Sequence, residues 1–252
     1  MSFPAVYITQ RFSGIRQNLY AYAAEKKQEQ IHWLRVDIKK IRALLSFLNK
    51  MDDTEKLPKK MLRRLFNDAG ILRENHINMG IFKKVSYSGK LLTGLSEKQK
   101  LLETQFIDKI SRYLAGVKRA EKKLRLPHHK LKKKELKKYF IAQVSNAENL
   151  FYDRGDKKNI HRFRIRIKKM MYLYHALPAG LQKSTGLNAA YLNKLQTVAG
   201  KWHDSFMAVR FLENNDLGPA AYIKKLIQQE SRQLDLLVKA CKNFTQRIFT
   251  SN

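Results

Sequence analysis

Residues 31–45 read IHWLRVDIKKIRALL, and residues 160–174 read IHRFRIRIKKMMYLY. Both stretches place apolar residues three and four apart, the period of an α-helix rather than the alternation of a strand. In the first, Leu34, Ile38, Ile41, Leu45 and Leu48 gather on one face, while His32, Arg35, Lys39 and Arg42 gather on another. At roughly 100° per residue these last four form a stripe about 15 Å long. The helix therefore carries a core seam and a separate cationic seam. The second stretch repeats the pattern 129 residues later with His161, Arg164 and Lys168, and Met171 stands where the first has Arg42.

A second pair of blocks follows in the same order. Leu65, Gly70 and Arg73-Glu74 match Leu195, Gly200 and His203-Asp204 at an offset of 130 residues. Two matched blocks at nearly one offset point to a duplicated four-helix unit. The repeats are expected over 4–126 and 127–252, joined by a hinge near Leu126-Pro127-His128-His129 and related by an approximate two-fold axis within a single domain, 1–252. Only 11 Gly and 5 Pro interrupt the chain, and the intervening segments keep the helical period, so the fold class is all-α, a helical bundle. Helices are expected near 4–25, 28–50, 58–79, 96–125, 130–153, 157–177, 187–213 with a break at Gly200, and 218–249. Ser96-x-x-Gln99 reads as a capping box opening the fourth.

The 252 residues include 51 Lys+Arg and 21 Asp+Glu, a formal charge of +30. That balance excludes an ordinary neutral enzyme surface and makes a polyanion the expected partner: nucleic acid, an anionic membrane or a phosphate polymer. Cys241 is the sole cysteine, which excludes an intramolecular disulfide and a structural zinc site built on several thiolates. No signal peptide or apolar run of membrane-spanning length is read, so a cytoplasmic protein is expected. Stacked cations on one helix face repel one another by a few tenths of a kcal/mol per pair, an arrangement that an anion relieves. Arginine offers planar forks to phosphate oxygens, lysine a point charge, and histidine a donor whose charge follows pH.

These blocks resemble the conserved-histidine α-helical domain, or CHAD domain, over roughly residues 5–250. The resembling segments are the two histidine helices, residues 65–74 (LFNDAGILRE) and residues 195–204 (LQTVAGKWHD). The resemblance implies a helical bundle of two pseudo-symmetric halves that binds inorganic polyphosphate in a basic central channel, without catalysis, and in some members directs proteins to polyphosphate granules. It implies anion binding by His32, Arg35, Lys39, Lys40, Arg42, Arg64 and Arg73 and by His161, Arg164, Lys168, Lys169 and Lys194. Two departures stand out: Met171 where the family tends to have Arg, and Glu74 where it tends to have Asp. The first implies a weaker contact in the second half. A triphosphate-processing enzyme acting in trans is the protein partner the family suggests. Polyphosphate presents charge without bases, so a comb of Lys and Arg suffices to hold it, and no stacking platform is needed.

Other features have competing readings. Residues 118–138 hold 11 Lys+Arg and two Glu, and Lys130, Lys132, Lys133, Lys134, Lys137 and Lys138 read either as a docking rim or as a solvated helix start. His203-Asp204, with His161 and His32 as further ligands, raises a metal-dependent phosphohydrolase as an alternative, opposed by the scarcity of nearby carboxylates. His128-His129 lacks a second ligand pair, and no metal or cofactor is expected. Trp33, Trp202, Phe163, Tyr172 and Tyr174 keep nucleic-acid binding as another alternative, although their spacing suits core positions better. No Walker loop, nucleophile–base pair or carboxylate cluster is recognisable, so no catalysis is expected.

Overall fold

The three-and-four spacing of apolar residues becomes helix along the whole described chain. The structure, a computed structural model, describes residues 3–51, 62–84, 90–124, 126, 131–213 and 220–250. Among them the fold is all-α, and the chain divides into two compact units, Met1–His128 and His129–Asn252.

The first unit contains α1 (Phe3–Glu25), α2 (Gln28–Met51), α3 (Arg63–Lys84), α4 (Lys90–Ile107) and α5 (Ile110–Lys123). Helix α1 buries Ile8, Phe12, Ile15, Leu19 and Tyr22 against the core seam of α2, where Ile31, Leu34, Ile38, Ile41, Leu45 and Leu48 are all buried. Full burial of one such side chain contributes about 1.5–3 kcal/mol. Gly14 in α1 leaves the space that the Asp37 carboxylate fills: a Cβ there would lie 2.4 Å from Asp37 Oδ2. Asp37 accepts from Arg11 at 3.1 Å, which compensates its burial. Helix α3 packs on α2 and α4, and buried Asn75 donates to the Leu95 carbonyl and to Gln99 Oε1, both at 3.0 Å.

The second unit contains α6 (Lys133–Tyr152), α7 (Lys157–Ala176), α8 (Ala179–Ser184), α9 (Ala189–Glu213), α10 (Ala220–Ala240) and α11 (Phe244–Ile248). The Asp156 carboxylate accepts from the Lys158 backbone N–H and caps α7. Ile160, Phe163, Ile167 and Met170 bury the core face of α7, which packs on α6 and α9. Trp202 is fully buried, and its indole N–H donates to Glu230 Oε1 at 2.7 Å across the α9–α10 contact. Lys157 Nζ sits 2.9 Å from the other Glu230 oxygen, so the buried carboxylate is both paired and hydrogen-bonded.

Several expected boundaries differ. The single helix expected at 96–125 is two helices, α4 and α5, because Asp108-Lys109 turns the chain from packing on α3 to packing on α1. Helix α4 begins at Lys90, which places Ser96 inside it; Gln99 pairs with Asn75 and Glu103 instead of closing a capping box. Gly200 does not break α9, since a helix tolerates one glycine at about 1 kcal/mol. Residues 179–184, expected as a break, form α8. The last expected helix is divided at Asn243, whose φ of 55° is left-handed, so that α11 packs on α6 and α9 and Phe249 pairs with Leu187. The start expected for the third helix and the hinge at 127–129 lie outside the described residues.

Asparagine tolerates the left-handed region better than a branched residue does. Asn243→Gly is expected to keep or raise the urea midpoint, and Asn243→Val to lower stability by about 1–2 kcal/mol.

Candidate anion-binding seams

The core seam of α2 buries its aliphatic face, which leaves His32, Arg35, Lys39 and Arg42 at the margin, each half-buried. Arg35, Lys39 and Arg42 meet the start of α3 at Phe66. The guanidinium carbon of Arg35 lies 4.1 Å from the centre of the Phe66 ring, that of Arg42 lies 4.3 Å from it, and Lys39 Nζ lies 5.9 Å from it. Arg35 also donates to the Phe66 backbone carbonyl at 2.5 Å. Gly70 explains why the motif has glycine here: a Cβ at this position would stand 2.4 Å from Arg35 Nη1.

The charges around this cluster are mostly alike. Burial, reinforced by Arg73 and Arg42, pushes Arg35 down to about 10, and Glu74 opposes the shift. Burial and then Arg63 lower Arg42, whose buried Nε has no acceptor among the described residues. A cationic track thus runs through Arg73, Arg35, Arg42 and Arg63. Arg63 was not among the candidates, because its place depends on how α3 lies on α2. Arg64, the neighbouring candidate, is exposed and belongs to the environment of Tyr113 together with Arg112. Lys40 also leaves the track, for its charged neighbours are Asp37 and Arg11 beside α1.

The seam of the second unit is built differently. The His161 and His203 rings stack with centroids 4.9 Å apart and an interplanar angle of 27°. Burial, His203 and Arg164 lower the pKa of His161. Arg164 is lowered by burial, which the Asp204 carboxylate and Tyr172 oppose, and its buried Nε has no acceptor among the described residues. His203 Nδ1 is buried 3.7 Å from Asp204 Oδ1, beyond hydrogen-bond range. Met171 is in the core. Lys168 is half-buried, and Lys169 and Lys194 are exposed.

Lys132, Lys133, Lys134, Lys137 and Lys138 are exposed, and Lys130 lies outside the described residues. Trp202 and Phe163 are core residues and Tyr172 and Tyr174 are half-buried, but Trp33 is 48% exposed and donates to Glu29, contrary to the core expectation for it. His161 meets His203 beside Asp204, yet among the described residues no group of three or more His, Cys, Asp or Glu is arranged to hold a metal. Among the same residues no helix is long and apolar enough to cross a membrane.

The CHAD domain family model matches residues 6–213. The chain belongs to the CHAD domain family. Its fold is similar to the crystal structure of the CHAD domain from the plant Ricinus communis, with 15% identity, a TM-score of 0.62, and coverage of 94% of this chain and 86% of that one. It is also similar to PptA from Streptomyces chartreusis, with 12% identity, a TM-score of 0.61 and 97% of each chain covered. No curated protein sequence matches this chain. At these identities the likeness shows a common CHAD fold, and the chemistry of this CHAD chain rests on its own two seams.

Two outcomes test the geometry of these CHAD seams. Alanine at Gly70 improves helix propensity by about 1 kcal/mol but pushes Arg35 off the Phe66 carbonyl; Gly70→Ala is expected to fold, by circular dichroism, while weakening polyanion binding. For His161, a folded-state pKa below the ordinary 6.5 means that the unfolded chain takes up the proton first. Its contribution to stability is therefore greatest above pH 6.5 and is lost as pH falls toward the lowered value. The melting temperature of the wild type is expected to fall more than that of His161→Gln between pH 8 and pH 5.

Proposed function

We propose that this CHAD-family chain binds inorganic polyphosphate along its two cationic seams, as a binding module without catalysis. The observation that carries the reading is the set of buried cationic donors without acceptors. The Nε atoms of Arg42 and Arg164 are buried and unpaired among the described residues; burial disfavours both guanidinium charges, and in the first seam Arg63 adds a like charge beside Arg42. A buried unsatisfied polar group costs about 1–3 kcal/mol. A phosphate oxygen would satisfy the donor and reduce the repulsion at once, through charge-assisted hydrogen bonds.

The choice of a phosphate polymer follows from what the seams offer. They run along helices, present arginine forks and lysine point charges, and cover successive turns, which suits a repeated charge on a flexible backbone. The ring in the first seam is engaged by the chain's own guanidiniums of Arg35 and Arg42, which compete with a base for it. Family resemblance supports the same ligand. Targeting to polyphosphate granules and cooperation with a triphosphate-processing enzyme in trans belong to this proposal.

The test is a titration of the double variant Arg35→Glu/Arg164→Glu with labelled long-chain polyphosphate at fixed ionic strength. Loss of retention with an unchanged helical spectrum is the expected result, and wild-type affinity in a folded double variant would contradict the assignment. Arg42→Gln alone should weaken binding and reduce the slope of log K against log salt by about 1, as expected when one phosphate contact is removed.

A further inference from the structure

Arg35 and Arg42 stand seven residues apart on α2, a separation of about 10 Å along the helix axis. Their guanidiniums nevertheless share one ring: both lie over Phe66, at 4.1 and 4.3 Å. The Phe66 carbonyl accepts from Arg35, and the missing Cβ of Gly70 leaves room for its guanidinium. A guanidinium docked on an aromatic face keeps its edge N–H groups available in its own plane. On the same guanidinium the buried Nε of Arg42 has no acceptor among the described residues. The matching positions of the second unit lack this device, although Lys157 and Arg210 lie over the Phe206 ring at the longer distances of 5.5 and 5.7 Å. The offset of 130 residues that aligns Leu65 with Leu195 sets Gln196 opposite Phe66, and the offset of the histidine helices sets the core residue Met171 opposite Arg42.

We infer that Phe66 is a positioning residue that holds Arg35 and Arg42 as a fixed pair of forks for neighbouring phosphates of one chain, making the first unit the tighter of two unequal seats. The inference rests on the polyphosphate reading and deepens it. Without the ring the same two charges would remain, but each long side chain would have to be ordered by the ligand at the moment of binding. Phe66 therefore contributes to affinity without contributing charge. That separates it from every cationic residue in the seam.

The distinction can be read directly in salt-dependent binding. Phe66→Leu and Phe66→Met should each weaken long-chain polyphosphate binding about 10-fold, with the slope of log K against log salt unchanged from the wild type because no phosphate contact is lost. Phe66→Tyr, which keeps a ring, should restore wild-type affinity. A merely structural role would lower the melting temperature and leave affinity of the folded protein intact. Wild-type affinity in folded Phe66→Leu or Phe66→Met would overturn the inference, as would a tyrosine variant no better than leucine. If the wild type itself fails to bind polyphosphate, the underlying functional reading falls and this one with it; binding by the wild type that is indifferent to position 66 removes this one alone.

Discussion

The guanidinium of Arg35 is the constraint around which the first unit is arranged. It is drawn from water between Gly70 and Phe66, near Arg42 and Arg73. Removing a charge from water is costly unless hydrogen bonds and partners compensate. Here the compensation is partial: one backbone carbonyl, one ring face and the influence of Glu74 oppose burial and two other arginines. The aliphatic seam on the opposite side of α2 makes such an arrangement affordable, because its burial against α1 anchors the helix independently of what happens along the cationic side.

The second unit answers a similar problem by different means. Asp204 lies near Arg164, and two imidazoles stack where the first unit has Arg73 and His32 at the corresponding sequence positions. Histidines can shed their charge when buried, whereas arginines cannot do so at physiological pH. Arg35 and Arg42 thus keep the first seam cationic, while in the second burial, His203 and Arg164 hold His161 below the ordinary imidazole range.

Much of this was legible in the sequence because helical periodicity separates two faces without any knowledge of neighbours. Ile38 and Ile167 had to be core, and Arg35, Lys39 and Arg42 had to share a stripe, on spacing alone. The glycine of the repeated block was visible as a pattern, but its reason was not: the space it leaves belongs to an arginine 35 residues earlier. Phe66 and Arg63 were missed for the same cause, since their partners depend on the register of α3 against α2. The family resemblance places Lys40 with Lys39, yet a step of about 100° carries it to the side of Asp37 and Arg11. The turn at Asp108-Lys109 carries neither Gly nor Pro and follows from packing on two different helices, so no local signal announced it.

The central claim is that the seams select a phosphate polymer and do more than attract negative charge. Competition between labelled long-chain polyphosphate and single-stranded DNA, RNA or pyrophosphate, at two salt concentrations and with phosphate release followed in the presence of a divalent metal, tests it most directly. The account predicts that polyphosphate remains bound at the higher salt, that neither nucleic acid nor pyrophosphate displaces it at matched phosphate concentration, and that no phosphate is released. Equal displacement by nucleic acid would reduce the seams to generic polyanion attraction, and metal-dependent release would contradict the non-catalytic reading in favour of a hydrolase built on His203 and Asp204.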